Sequence, residues 1–382
     1  MAVVGGPMYD SLYRTAAETA EIGFDLAFRG DHPALNEHLA SLDDVPYDIV
    51  STHTKYAPSQ RRFLAPLDGV IGPQELADFV PAVLELARID GSLYGLPRNI
   101  DVRLLHYRTD LIEKPPATWV ALLDEARVLN QPPGLHAFVF PGKESGLFGT
   151  FFELAEMGGA SVFADDLSLD VVNDGGRWAL GFLRTLYAEN LVPPELLDWH
   201  FDEVHRCFRS GRAAMVGDWP GFYEAHRDPA ISAVAGRFQV APYPAGPAGR
   251  SLAYGGSHTF ALTVRGAENP DARALLLHLA APELQLTEAR AGSVPVRRSV
   301  MSRIQEEATS RERERWKTLQ TVIESRMLIP PKSPVYPLVE ELIWHTVQQA
   351  VAGSTPIDEA LERMAQQSKA IVRAWDAEHA SA

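Results

Sequence analysis

The stretch Ile89-Asp90-Gly91-Ser92-Leu93-Tyr94-Gly95-Leu96-Pro97-Arg98-Asn99-Ile100-Asp101-Val102-Arg103-Leu104-Leu105-His106-Tyr107-Arg108 differs in character from everything before it. Asp90-Gly91 between apolar neighbours is a hairpin signal, and a short strand and a long extended run follow it. Asn99, Asp101 and Arg103 alternate along that run, so an extended backbone puts all three on one face. Three polar side chains inside an apolar stretch are unusual for a core strand. They predict the wall of a binding cleft; a solvated edge strand or a structural Asp101–Arg103 pair is the plainer reading. Arginine matches a carboxylate bidentately, so an inward Arg98 or Arg103 would suit an acidic solute.

Upstream, short apolar runs alternate with helical patterns. Val3-Val4 precedes a helical pattern from Met8 to Ala20, Phe24 to Phe28 reads as a second strand, and Tyr47 to Val50 as a third. Alternation of this kind predicts an α/β fold with parallel pairing and helices on both faces of the sheet. Ligands of such sheets bind beyond the carboxyl ends of the strands. That places Gly5 and Gly6, then Asp31 and His32, then His53 and Thr54 at a binding edge, with loop capping as the alternative for the last two pairs. Downstream, Thr118 is a candidate N-cap for a helix starting at Trp119. Strands at His136 to Phe140 and Ala213 to Val216 flank helices near 147–156 and 176–189. Almost pure helix fills the last eighty residues, with an apolar stripe of Leu338, Leu342, Ile343, Val347 and Val351.

At 382 residues the chain is too long for one ordinary core, which predicts two lobes. A formal charge of −15 argues against nucleic acid or anionic lipid as the main partner, because both require a basic surface. The single cysteine, Cys207, rules out an internal disulfide and a cysteine-only metal site. No apolar run reaches the roughly 20 residues of a membrane span. Met1-Ala2-Val3-Val4 reads as a first strand and not as an export signal.

Four further stretches occur in a telling order. Pro46-Tyr47-Asp48-Ile49-Val50 is followed by Leu64-Ala65-Pro66-Leu67-Asp68. Asp90 to Pro97 is followed by Tyr107-Arg108-Thr109-Asp110-Leu111 and Pro116-Ala117-Thr118-Trp119. Phe208-Arg209-Ser210-Gly211-Arg212-Ala213-Ala214-Met215 ends in Gly217-Asp218-Trp219. Tyr254-Gly255-Gly256 precedes Ala281-Pro282-Glu283-Leu284-Gln285 and Gly292-Ser293-Val294-Pro295-Val296. Together, over residues 46–296, they resemble the family 1 extracellular solute-binding proteins, the maltose-binding-protein-like periplasmic binding protein class of ABC importers.

The resemblance implies a two-lobed α/β fold, each lobe a mainly parallel sheet flanked by helices, with a hinge of about three crossings and a helical C-terminal tail. One lobe would hold residues 1–107 and 254–303, the other 108–253 and 304–382. It implies a monomeric, non-catalytic subunit of an ABC transporter, periplasmic or at the cell surface. Such a subunit captures a small sugar or polyol between its lobes and delivers it to the permease; a sugar acid is the variant ligand.

A cleft for a hydroxylated solute needs aromatic faces for the C–H side and polar groups for the hydroxyls. Trp219 is the leading aromatic candidate, since the family often carries a platform there, with Asp218 beside it. Tyr254, Gly256 and His258 lie where the chain would re-enter the first lobe, and Tyr336 is a further aromatic candidate. Phe140 and Lys143 rank below these. No cofactor and no metal site is expected: His200 and His205 are poorly spaced for one ion. Catalysis is the competing class, as a cleft enzyme acting on a carbohydrate, and a non-exported ligand sensor of the same fold is a third. The chain lacks a G-x-S-x-G elbow and a phosphate-binding G-x-x-x-x-G-K motif. Cys207, in a helical pattern beside Phe208, reads as a buried structural thiol.

Overall fold

The computed structural model describes residues 1–5, 9–164 and 166–379, so Gly6 and Met8 lie outside the described residues. The chain divides into two compact units. The first holds residues 1–101, 255–313 and 332–334, and the second holds 102–254, 314–331 and 335–382.

Six strands open the chain: β1 (Ala2–Val4), β2 (Phe28–Gly30), β3 (Ile49–His53), β4 (Arg88–Ile89), β5 (Ser92–Leu93) and β6 (Leu96–Val102). The second unit adds β7 (Leu104–Arg108), β8 (His136–Val139), β9 (Ser161–Phe163), β10 (Leu169–Asp170), β11 (Ala213–Asp218) and β12 (Phe238–Ala241). β13 (Ala253–Leu262) begins in the second unit and continues into the first, and β14 (Met327–Leu328) pairs with its start.

In the first unit β1 sits between β2 and β3, parallel to both. β13 then lies antiparallel along β3, with His258 opposite His53. The strands are buried and therefore apolar in long runs, such as Ala2-Val3-Val4 and Ile49-Val50. The helix Asp10–Thr19 buries Leu12, Tyr13 and Ala16, and the Tyr13 hydroxyl donates to the Val4 carbonyl at 2.7 Å. β4 and β5 form the hairpin that Asp90-Gly91 predicts; both turn residues take positive φ, 48° and 84°.

The second unit has the strand order β12-β7-β11-β8, with β7 antiparallel to both neighbours and β8 parallel to β11. Both sheets are thus mixed. Trp119 is buried, packed edge-on to Phe138 and Phe182, with its indole N–H aimed at Met157 Sδ at 3.4 Å. Thr118 caps its helix by accepting the Ala121 N–H at 3.1 Å. The helices Glu144–Gly158, Asp174–Ala188, Tyr336–Val351 and Ile357–His379 pack on one another. Ile343, Val347 and Val351 are buried as the stripe predicts, whereas Leu338 at the helix start is 46 % exposed. No described helix is long and apolar enough to cross a membrane.

Two strand boundaries differ from expectation. The second strand covers Phe28–Gly30 and not 24–28. The third extends through His53, so His53 is a strand residue whose side-chain direction is set by sheet pleating and not by a loop.

Candidate functional site

Histidine and carboxylate chemistry converges in the first unit. His32 opens the helix His32–Ala40, His53 ends β3, and His258 lies opposite it on β13. Their ring centroids are 4.6 to 5.1 Å apart. His258 Nε2 is 3.0 Å from Asp101 Oδ2, and His258 Nδ1 is 2.9 Å from His32 Nε2. Asn99 donates Nδ2 to the same Asp101 oxygen at 3.0 Å, and its own Oδ1 accepts the His258 backbone N–H at 3.3 Å. Burial holds His32 and His53 well below the usual imidazole range, and the neighbouring His258 adds to the effect. Both rings are therefore neutral at physiological pH. Gly256 is what allows the close packing: a Cβ there would lie 2.5 Å from His53 Cε1.

Among the described residues no three His, Cys, Asp or Glu side chains form a metal-holding group. The imidazole nitrogens that face each other are already hydrogen-bonded together.

The second unit presents aromatic surface. Trp219 is half-buried, edge-on to Phe201 at 5.6 Å and to Tyr254 at 5.8 Å. Tyr254 also packs against Phe148 and Phe152. The Arg103 guanidinium lies 5.7 Å from the ring centres of both Trp219 and Tyr254. Arg103 makes three hydrogen bonds: Nε and Nη2 form a fork to Glu153 at 3.1 and 2.6 Å, and Nη1 donates to Thr150 at 3.1 Å. Burial pushes the Glu153 carboxyl up, opposed by Arg103 and by the Tyr254 backbone N–H at 2.6 Å.

Several expected ligand residues have other work. Asn99 and Asp101 belong to the first unit and Arg103 to the second, the boundary falling between Asp101 and Val102. Asp101 and Arg103 do not pair; each has partners in its own unit. Arg98 is buried against Glu288, with Nε at 2.7 Å from Oε1, and lies over the Tyr9 ring. Arg98 and Arg103 are thus each paired with a buried glutamate. Asp218 is buried, accepting the Trp219 backbone N–H at 2.9 Å and bonding His226 Nε2 at 2.8 Å, so it fixes the turn that carries Trp219.

Asp31 is the N-cap of the helix after β2, accepting the Ala34 N–H at 2.9 Å, with Pro33 in the first turn. Thr54 straps β3 to β13 through the Ser257 backbone. Tyr336 is completely buried, donating to Glu340 at 2.9 Å. Phe140 is a core residue, and Gly5 packs against Arg29. Lys143 is exposed enough to meet solvent and sits 3.6 Å from Glu144.

A second buried cluster was not anticipated: His106, His205 and His226 around Asp218. Burial takes His106 down to about 3 and lowers His205 and His226, while it raises Asp218. The signal in the sequence is a lone histidine inside the apolar run Leu104-Leu105-His106-Tyr107. Cys207 is buried, and burial pushes its thiol up to about 11, so it stays protonated.

Residues 40–286 match the family model described as bacterial extracellular solute-binding protein. The chain belongs to that family. This bacterial extracellular solute-binding protein is 27 % identical over 238 residues to a probable ABC transporter-binding protein of Deinococcus radiodurans, covering 59 % of this chain and 56 % of that one. It is 30 % identical over 171 residues to a mannitol-binding protein of Pseudomonas aeruginosa, covering 41 % and 38 %. The matched segment thus spans about half the length, or less, of these curated relatives.

Among solved structures, maltose-bound MalE3 of T. maritima superposes with a TM-score of 0.85 at 22 % identity, covering 97 % of this chain and 98 % of that one. A ribitol-bound solute-binding protein of Agrobacterium radiobacter gives 0.85 at 21 %, covering 97 % of each. These likenesses establish the two-lobed binding-protein fold for this chain.

Proposed function

We propose that this family member captures a small, uncharged, hydroxyl-rich solute, a sugar or polyol, and delivers it to the permease of an ABC transporter. It would act as a monomer in the periplasm or at the cell surface, without catalysis. Two observations carry the reading in a solute-binding family member, one in each unit. The first unit holds a polar set, His32, His53, His258, Asn99 and Asp101, in which burial keeps His32 and His53 neutral. The second holds an aromatic face built on Trp219 and Tyr254. Rings of that kind cover C–H surfaces, and the polar set supplies hydrogen bonds that discriminate among hydroxyl patterns. The solved structures of similar fold that hold maltose and ribitol support the same solute class.

Arg103, Asp218, Gly256 and Thr54 then serve as supports of those groups. Asp31 and Tyr336 serve the fold.

A thermal-shift panel of monosaccharides, polyols, sugar acids and short oligosaccharides tests this reading. Ligand bound to the native state alone raises the melting temperature by mass action. A neutral sugar or polyol should give a clear shift, and W219A should erase it while the protein still unfolds cooperatively. An unchanged shift in W219A would remove Trp219 from the site.

A further inference from the structure

β11 ends at Asp218, and the chain then runs through Trp219 and the turn Pro220–Phe222 into the short helix Tyr223–Arg227. An indole on such a connection loses rotational freedom when a solute lands on it, unless the protein has already fixed it. Two buried side chains of the second unit supply that fixing, one from the connection's own helix and one from a distant helix.

The first is His226. Asp218 Oδ1 accepts the Trp219 backbone N–H at 2.9 Å, and Asp218 Oδ2 lies 2.8 Å from His226 Nε2. The second bond ties the end of β11 to the helix beyond the turn, so Trp219 sits inside a closed loop. The His226 ring is 0 % exposed and packs edge-on against Phe208 and Phe238, with centroids 5.0 and 5.8 Å away. One proton lies between Oδ2 and Nε2 whichever group owns it. Losing the ring nitrogen would strand a buried carboxyl oxygen and free the strand end to turn.

The second is Arg315, in the helix Ser310–Ser325. Its Nη2 donates to the Pro220 carbonyl at 3.2 Å, and its guanidinium lies 4.3 Å from the Tyr223 ring centre. The side chain is 4 % exposed, so a buried charge is spent on the backbone of the residue after Trp219.

We infer that His226 and Arg315 are positioning residues for solute capture: through Asp218 and the Pro220 carbonyl they hold the Trp219 indole in one orientation before a solute arrives. The inference rests on the capture reading above and adds that affinity depends on two buried side chains beneath the aromatic face.

The test has two arms on the full chain, with cooperative urea unfolding as the check that each variant folds. The first needs no solute: fluorine-19 NMR of protein labelled with 5-fluorotryptophan, the Trp219 line being assigned among the seven tryptophans through W219F. Trp219 should give one narrow line in the wild type. H226F and R315M should broaden or split it and leave Trp119 and Trp344 unchanged. H226Q, whose amide stands where Nε2 was, should return one narrow line. A narrow, single Trp219 line in both H226F and R315M overturns the inference, and H226Q as disturbed as H226F overturns the part assigned to the Asp218 bond. If H226F does not fold, R315M decides the question alone.

The second arm is calorimetric titration with ribitol, D-mannitol and maltose. H226F and R315M should weaken the solute that binds by about tenfold, and H226Q should stay within about threefold of the wild type. Wild-type affinity in both H226F and R315M overturns the inference even if the fluorine line moves. If the wild type binds no solute of the panel while the fluorine lines behave as stated, the capture reading fails and the holding of the indole by His226 and Arg315 stands.

Discussion

Arg103 and Glu153 show how a single residue can look like a ligand contact and serve the fold instead. The arginine was legible as an unusual charge in an extended apolar run; its partner, fifty positions on, was not paired with it. Glu153 follows Phe151-Phe152 and is the buried one of the three glutamates in its helix, beside Glu144 and Glu156. Removing one partner strands a buried charge, whereas replacing both does not. E153A should therefore lose about 3–5 kcal/mol of stability, read by urea unfolding, and the double variant R103M/E153L should recover most of it. A loss no larger than that of an exposed ion pair would show that the fork to Arg103 is not what holds this position. Asp31 teaches a similar lesson. The pattern Asp31-His32-Pro33 is that of a helix N-cap, and the cap is what the structure contains.

At the level of elements, turn and cap chemistry read through directly. Asp90-Gly91 makes its hairpin, and Thr118 caps its helix, because both depend on neighbours a few positions away. The polar cluster of the first unit was visible only in pieces. His32, His53 and His258 each drew attention, but their meeting depends on β13 pairing with β3 across more than two hundred residues. Gly256 is the element's tight point. G256A would drive a methyl group into His53, and the strand or the ring must shift. Overpacking of that size should cost about 1–3 kcal/mol and lower the melting temperature. A G256A protein as stable as the wild type would mean that the imidazole has room to move. The second cluster, around Asp218, was missed because His106 on β7, His205 on the helix Phe201–Arg209 and His226 on the helix Tyr223–Arg227 meet only through the fold.

For the whole molecule, buried neutral histidines set the pH response. His32, His53, His106, His205 and His226 all have folded-state pKa values below the unfolded value of about 6.5. The unfolded chain therefore takes up protons first. Their stabilisation is complete above about pH 6.5 and is lost as pH falls toward about 3. Glu153 and Asp218, whose carboxyls burial raises, act in the opposite direction but are fewer. Stability should fall by roughly 1.4 kcal/mol per pH unit for each net proton, seen as a falling urea midpoint between about pH 6.5 and 4.5. A flat profile there would contradict the neutral assignment.

The two-unit, α/β character of the molecule was legible from alternation and length, because both follow from burying apolar area in a chain this long. The mixed pairing in each sheet was less so, since strand direction depends on how distant segments return. The central claim remains the capture of a neutral hydroxylated solute. Calorimetric titration of the full chain with a panel of neutral sugars and alditols tests it most directly. The account predicts saturable binding of at least one of them, with one solute per chain; saturable binding of charged sugar acids alone, or of none of the panel, would contradict it.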